Sequence, residues 1–441
     1  MRGERAEAEA DLDPVPTVHP LLVRAFGGLD AAGITWCMLR GEAGLGDPAC
    51  DVDLLVDAGT LDQLDDVLAR HEFLRLPALG AGGHRTYIGY HPPTDRWIEL
   101  DVEWTVEFGP TSHVLVNWLR PALRTAVAAD LLSRRARRGQ VWVLDPDDAF
   151  WALLLHRIVD KRVVTGEHAR RLRELAANAT SHSALAAVVA DLCPPGWDPQ
   201  RVLDAARHGR WMQLLELGRK LPSRATSARP IALRVAALGR GLSGLAAAVL
   251  QPSPGLSVAL IGPDGAGKST LTEGLANSTG LPTRRIYMGL WQGEGDTGDA
   301  MPLAAAILAA ARRPVRSWRR SAVALYHQGR GRTVVFDRHP YDALLPPGPP
   351  HLRLKRIFFG FLARSVPPPS IVLVLDLPAE ITHQRRPEED PVQLATARDA
   401  YLALARRLRQ AEVINADRTP DELRVEATAR IWHAMVERRT R

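Results

Sequence analysis

Lysine is nearly missing from this chain: only four of its 56 basic residues, at positions 161, 220, 268 and 355, are lysines. Arginine carries the rest, a bias of composition, so a surplus of positive charge does not by itself mark a nucleic-acid binder. Cysteine is also scarce. Cys37, Cys50 and Cys193 show no CxxC spacing, which excludes a disulfide scaffold and a thiolate metal site and fits reduced thiols in a cytoplasmic protein. No long apolar run is present either. The longest candidate, 231–250, is broken by Arg234, Arg240 and several glycines, so no membrane span is expected. The first residues are charged and have no apolar stretch of the kind a secretory leader needs.

What remains is ordinary globular material, 46% hydrophobic and 24% charged, and 441 residues suffice for about two to four domains. The charge is divided unevenly. Residues 1–130 hold 10 Arg against 21 acidic residues, while the remainder holds 46 basic against 29 acidic. An acidic part suited to cations and a basic part suited to anions are expected. Residues 1–14 read as a tail, 15–145 as an α+β domain, 146–250 as a helical subdomain and 251–441 as an α/β domain with a doubly wound parallel sheet. Gln251-Pro-Ser-Pro-Gly255 is the clearest boundary.

One of the rare lysines sits in the most informative stretch. The apolar run Val258–Ile261 enters Gly262-Pro263-Asp264-Gly265-Ala266-Gly267-Lys268-Ser269-Thr270, and a helical pattern follows. This is G-x-x-x-x-G-K-[ST] in a strand–loop–helix context. The glycines let backbone N–H groups close around phosphate oxygens, Lys268 reaches the β/γ-phosphates, and the Ser269 hydroxyl ligates Mg²⁺. Downstream, Arg332–Asp337 reads as a strand ending in an acidic residue, followed by Arg338. Asp337 is placed to order Mg²⁺ and Arg338 to grip an acceptor phosphate. A second strand, Ile371–Asp376, leads to a helix closed by Arg385 and Arg386, whose segment is expected to close over a transferring phosphoryl group.

In the acidic half, Ile34–Arg40 and Asp51–Asp57 read as strands. Residues two apart share a face, so Asp51 and Asp53 present their carboxylates together. Arg96–Trp104 alternates, with Glu99, Asp101 and Glu103 opposite Ile98, Leu100 and Val102. Asp101 beside Asp51 and Asp53 would complete a carboxylate triad for Mg²⁺. A helix is expected from Asp147, with Phe150, Leu154 and Ile158 on its buried face, and breaks at Pro194–Trp197 and Arg224–Pro230.

Two resemblances follow from these residues. Gly262–Ser269, Asp337-Arg338-His339, the arginines at 385–386, and Val413-Ile-Asn-Ala416 with Thr419-Pro-Asp-Glu422 resemble the thymidylate kinase family of P-loop kinases over about 257–435. The resemblance implies ATP and Mg²⁺, with Asn415 and Ala416 against the adenine, Asp264 near the acceptor sugar, and a homodimer. The acceptor segment departs from it, since Arg284-Arg-Ile-Tyr-Met-Gly-Leu-Trp-Gln-Gly293 stands where the family shapes its thymidylate pocket, and Arg312, Arg316 and Arg320 follow on one helical face. Leu39-Arg40-Gly41, Asp51-x-Asp53 and Asp101 resemble the nucleotidyltransferase superfamily over about 20–245, with Arg40 where the nearest branch has Lys and Glu42 where many members have Ser.

The sequence therefore implies an ATP- and Mg²⁺-dependent kinase acting on a small acceptor, a nucleoside monophosphate by analogy, with a nucleotidyltransferase-like half. The alternatives are a nucleotidyltransferase acting on a small molecule or protein, and a regulatory protein that binds nucleotide without transferring it. No membrane or nucleic-acid partner is expected.

Overall fold

The computed structural model describes residues 17–41, 44–48, 51–76, 84–109, 123–227, 255–278, 280–289, 303–346, 352–385 and 387–440. These form a mixed α/β structure that divides into two compact units. One is drawn from 1–89 and 98–250, the other from 90–97 and 251–441. Among the described residues no helix is long and apolar enough to cross a membrane.

The first unit opens on the helix Pro20–Ala31. Pro20 fits its first turn because that turn has no use for an N–H, and His19 Nδ1 accepts from Leu21 N–H. Its buried face carries Leu21, Leu22, Ala25, Phe26 and Leu29, and Phe26 stacks on Trp36. Strands β1 (Trp36–Met38), β2 (Val52–Val56), β3 (Phe73–Arg75), β4 (His84–His91) and β5 (Arg96–Glu103) follow. The short pair β6 (Glu107–Phe108) and β7 (Leu123–Arg124) forms a separate ribbon, and β8 (Ala136–Arg138) and β9 (Val141–Val143) rejoin the main sheet. The seven-stranded order is β3-β4-β5-β2-β1-β9-β8.

Within that sheet β2 and β5 are parallel, and Asp53 is the direct register partner of Asp101. Burial alternates along β5. Ile98, Leu100 and Val102 are fully buried, which leaves Glu99, Asp101 and Glu103 on the opposite, half-open face. The helix Pro146–Leu155 is capped by Asp145, whose carboxylate accepts from Asp147 N–H, and it runs into a π-helical turn over His156–Lys161. Further helices span Gly166–Asn178, Ala184–Leu192, Pro199–Arg207 and Trp211–Ser227. The break at Pro194–Trp197 falls between two of them. Of the break expected at Arg224–Pro230, the last helix covers the part up to Ser227, and 228–230 lie outside the described residues. The boundary expected at 251–254 lies outside the described residues.

The second unit is a five-stranded, wholly parallel sheet, ordered β11-β12-β10-β13-β14. Its strands are β10 (Ser257–Ile261), β11 (Thr283–Tyr287), β12 (Thr333–Asp337), β13 (Ile371–Asp376) and β14 (Ala411–Asn415). β10 and β12 are buried along their whole length, and five of the six residues of β13 are buried too, as strands covered on both faces must be. The chain starts in the middle of the sheet at β10 and moves to both sides, so a switch point lies at the C-terminal ends of β10 and its neighbours. Ligands of open α/β sheets bind at such points.

Candidate functional site

At the C-terminal end of β10 the chain turns through Gly262–Gly267 into the helix Lys268–Ser278. Gly262 has φ 149°, and a Cβ there would stand 2.8 Å from the Leu375 carbonyl oxygen, so only glycine fits. Gly265 and Gly267 also have positive φ. Lys268 is 6% exposed, and its Nζ donates to the carbonyls of Gly262 (2.8 Å) and Pro263 (2.7 Å) and to Asp264 Oδ1 (3.1 Å). Arg338 Nη2 donates to the same Asp264 oxygen at 2.6 Å. One carboxylate thus gathers the two cations that the sequence assigned to phosphates.

Electrostatics follow from that crowding. Burial alone would raise Asp264, but Lys268 and Arg338 outweigh it and hold the carboxyl below its usual range. Burial pushes the Lys268 ammonium down, with Asp264 opposing. Arg338 stays firmly charged because Asp264 and Asp342 outweigh its burial. Its backbone has φ 67°, a left-handed conformation that costs a residue with a Cβ about 1–2 kcal/mol.

Asp337 ends β12, 2% exposed, and its Oδ2 accepts from Arg285 Nη2 at 2.7 Å. Ser269 and Thr270 are exposed at the start of the helix. Arg385 closes the helix Ala379–Arg385 with Nη1 3.4 Å from the Gly265 carbonyl, while Arg386 lies outside the described residues. Asn415 ends β14 and Ala416 follows it, its N–H donating to the Asp376 carbonyl. Of the acceptor-side arginines, Arg320 stacks over the Tyr287 ring at 5.6 Å, and Arg316 lies near enough to Arg320 to oppose its charge. The side chain of Arg312, and residues 290–293, are outside the described part.

Two residues that sequence reasoning missed belong to this cluster. Asp342, 8% exposed, accepts from the Tyr401 hydroxyl at 3.1 Å. Burial pushes its carboxyl up to about 6, against the pull of Lys268 and Arg338. No motif marked either residue, because they meet only once the helix Pro391–Ala405 folds back over the sheet. That helix is also pinned by Arg398, which grips Asp376 with two hydrogen bonds of 2.5 and 2.9 Å.

The first unit holds a second cluster. Oxygens of Asp53, Asp101 and Glu103 lie within 4.8 Å of one another. Asp51 stands outside that group, exposed just before β2, where its charge raises Glu99 and Asp101. Glu103 takes the third place. The alternation of β5 put it on the right face, and only the register with β2 shows that it reaches. Arg40 donates through Nε to Asp53 Oδ2 (2.9 Å) and through Nη2 to Glu103 Oε1 (3.1 Å). Burial pushes Glu103 up to about 7, Arg40 pulling it down and Asp53 and Asp101 adding to the rise. Burial also raises Asp101, whose Oδ1 is buried with no hydrogen-bond partner. A divalent ion answers an orphaned carboxylate oxygen of that kind, so the donor set fits Mg²⁺. Nearby, His156 pairs with Asp160 at 2.8 Å, a helix residue with a local partner.

No protein-family model matches the chain, and no curated protein matches it. Among solved structures, a thymidylate kinase from Candida albicans is similar with a TM-score of 0.34 and 16% identity, over 42% of this chain and 93% of that one.

Proposed function

We propose that the second unit is a P-loop kinase that passes the γ-phosphoryl group of ATP to a small acceptor with the help of Mg²⁺. The observation that carries this is the convergence of Lys268 and Arg338 on Asp264 at the mouth of the Gly262–Ser269 loop. Donor and acceptor phosphates, brought together there, would each find a cation already in place. Mg²⁺, when bound, neutralises charge on the phosphates, and the Ser269 hydroxyl and Asp337 are the groups that would hold it or its waters.

The remaining chemistry belongs to the chain. The loop backbone cradles the donor phosphates. Lys268 exchanges its contacts with Gly262, Pro263 and Asp264 for phosphate oxygens, and Arg338 orients the acceptor. Arg385, beside Gly265, is placed to cover the site and exclude water. Asn415 and Ala416 sit at the edge where an adenine would lie, and Arg285, Arg316 and Arg320 suit an anionic acceptor such as a nucleoside monophosphate or a phosphorylated sugar.

The test is ATP turnover over a panel of such acceptors. Removing one electrostatic anchor of a transferring group costs on the order of 10²–10³ in rate, so Lys268→Ala should lose at least that. A variant that consumes ATP as fast as wild type would overturn the assignment. Nucleotide binding without transfer to any acceptor would favour a regulatory role instead.

A second reading concerns the first unit. We infer that its carboxylates bind a divalent cation, as a nucleotidyltransferase site would, because Asp53 and Asp101 are register partners and one Asp101 oxygen is buried without a partner. Pyrophosphate release from α-labelled nucleotide, lost in Asp53→Asn and kept in Lys268→Ala, would support nucleotidyl transfer there.

A further inference from the structure

We propose that Arg40 is a built-in cation that fills one ion position of the carboxylate cluster on β2 and β5, so that the cluster takes one divalent ion and not two. The inference rests on the cation-binding reading of the first unit. Arg40 stands two residues past the end of β1. The hydrogen bond from Leu39 N–H to the Asp53 carbonyl, 2.9 Å, fixes where its side chain starts. From there the guanidinium spans two strands and meets one carboxylate on each, Asp53 at 2.9 Å and Glu103 at 3.1 Å. The Arg40 side chain is 11% exposed, so these are not surface contacts that solvent would exchange freely.

Ligand supply points the same way. A pair of catalytic divalent ions sits about 3.5–4 Å apart and needs carboxylates shared between them. Here the three candidate carboxylates lie within 4.8 Å of one another, and two already direct an oxygen at Arg40. What is left is Asp101, with its unpartnered Oδ1, and the second oxygens of Asp53 and Glu103, one donor from each carboxylate. That set serves one hard cation. A guanidinium does not lose its proton in proteins, so the position is filled at every working pH.

Lysine would fill the position less completely. Its ammonium is a point charge on a flexible stem, whereas the planar fork of Arg40 meets both carboxylates at once. The cluster is therefore built for one ion, with a fixed positive charge beside it.

Mn²⁺ binding to the full-length chain without nucleotide tests this, with free Mn²⁺ counted by electron paramagnetic resonance. Wild type should bind one ion at this cluster, the ion that Asp101→Asn removes. Arg40→Met should bind one ion more than wild type, and Arg40→Met/Glu103→Gln should lose that extra ion. Should Arg40→Met be poorly folded without metal, Mn²⁺ must raise its melting temperature by more than it raises that of wild type, since an additional ion bound only by the folded state adds stability. Equal Mn²⁺ counts and equal shifts in wild type and Arg40→Met would overturn the inference and leave the cation site standing. No ion removable by Asp101→Asn in any of these proteins would overturn both.

Discussion

Asp264 and Asp342 show how two carboxylates a few residues from the same cations come to behave differently. Asp264 is half-buried and bonded to both Lys268 and Arg338, and it stays ionised. Asp342 is buried and bonded to a neutral hydroxyl, and its carboxyl is pushed up to about 6. A folded-state pKa above the ordinary carboxylate value of about 3.9 means the folded protein holds the proton more tightly. Its contribution to stability is then full below about pH 4 and is lost as pH rises through about 6. Asp342→Asn cannot lose it, so the melting temperature of the variant should gain on wild type between pH 4.5 and 7. A constant difference across that range would show that Asp342 does not titrate as described. Arg338 supplies a complementary case. Arg338→Gly removes the guanidinium but relieves the left-handed backbone at φ 67°, so acceptor use should fall while melting stays within a few degrees of wild type. Lys268, Arg338 and Asp337 were legible in the sequence because local motifs carry them. Asp342, Tyr401, Arg285 and Glu103 were not, since each is placed by a partner more than 50 residues away.

Among elements, the turn after β10 is tightly constrained. Gly262→Ala places a methyl group 2.8 Å from the Leu375 carbonyl and imposes a rare φ, whereas Gly267→Ala, also at positive φ, has nothing within 4 Å to meet. Both should cost about 1–3 kcal/mol in backbone strain, and Gly262→Ala should cost more. Denaturant unfolding of the two variants would reveal the order, and a more damaging Gly267→Ala would contradict it. Strand β5 makes the parallel point in the first unit. Leu100 is fully buried and Asp101 turns the other way, so Leu100→Ala should lose about 2–5 kcal/mol from the core while disturbing the carboxylates only through the strand. The alternation of β5, the buried runs of β10 and β12, and the helix at Pro146 could all be read from periodicity and caps. The sheet orders could not. Periodicity gives each strand its faces, but pairing and register arise from packing between distant segments.

Across the whole molecule, the two clusters belong to separate compact units and have opposite character. Lys268 and Arg338 converge on Asp264 in one, and three carboxylates, two of them bonded to Arg40, form the other. The charge division along the sequence does not reveal the internal counter-charges, Asp264 in one cluster and Arg40 in the other. The account assigns phosphoryl transfer to the second unit alone. It is tested most directly by transfer of label from γ-labelled ATP to a panel of small phosphorylated acceptors, using wild type, Lys268→Ala and Asp101→Asn. The expected result is transfer by wild type and Asp101→Asn and a loss of about 10²-fold or more in Lys268→Ala. Undiminished transfer by Lys268→Ala would contradict it.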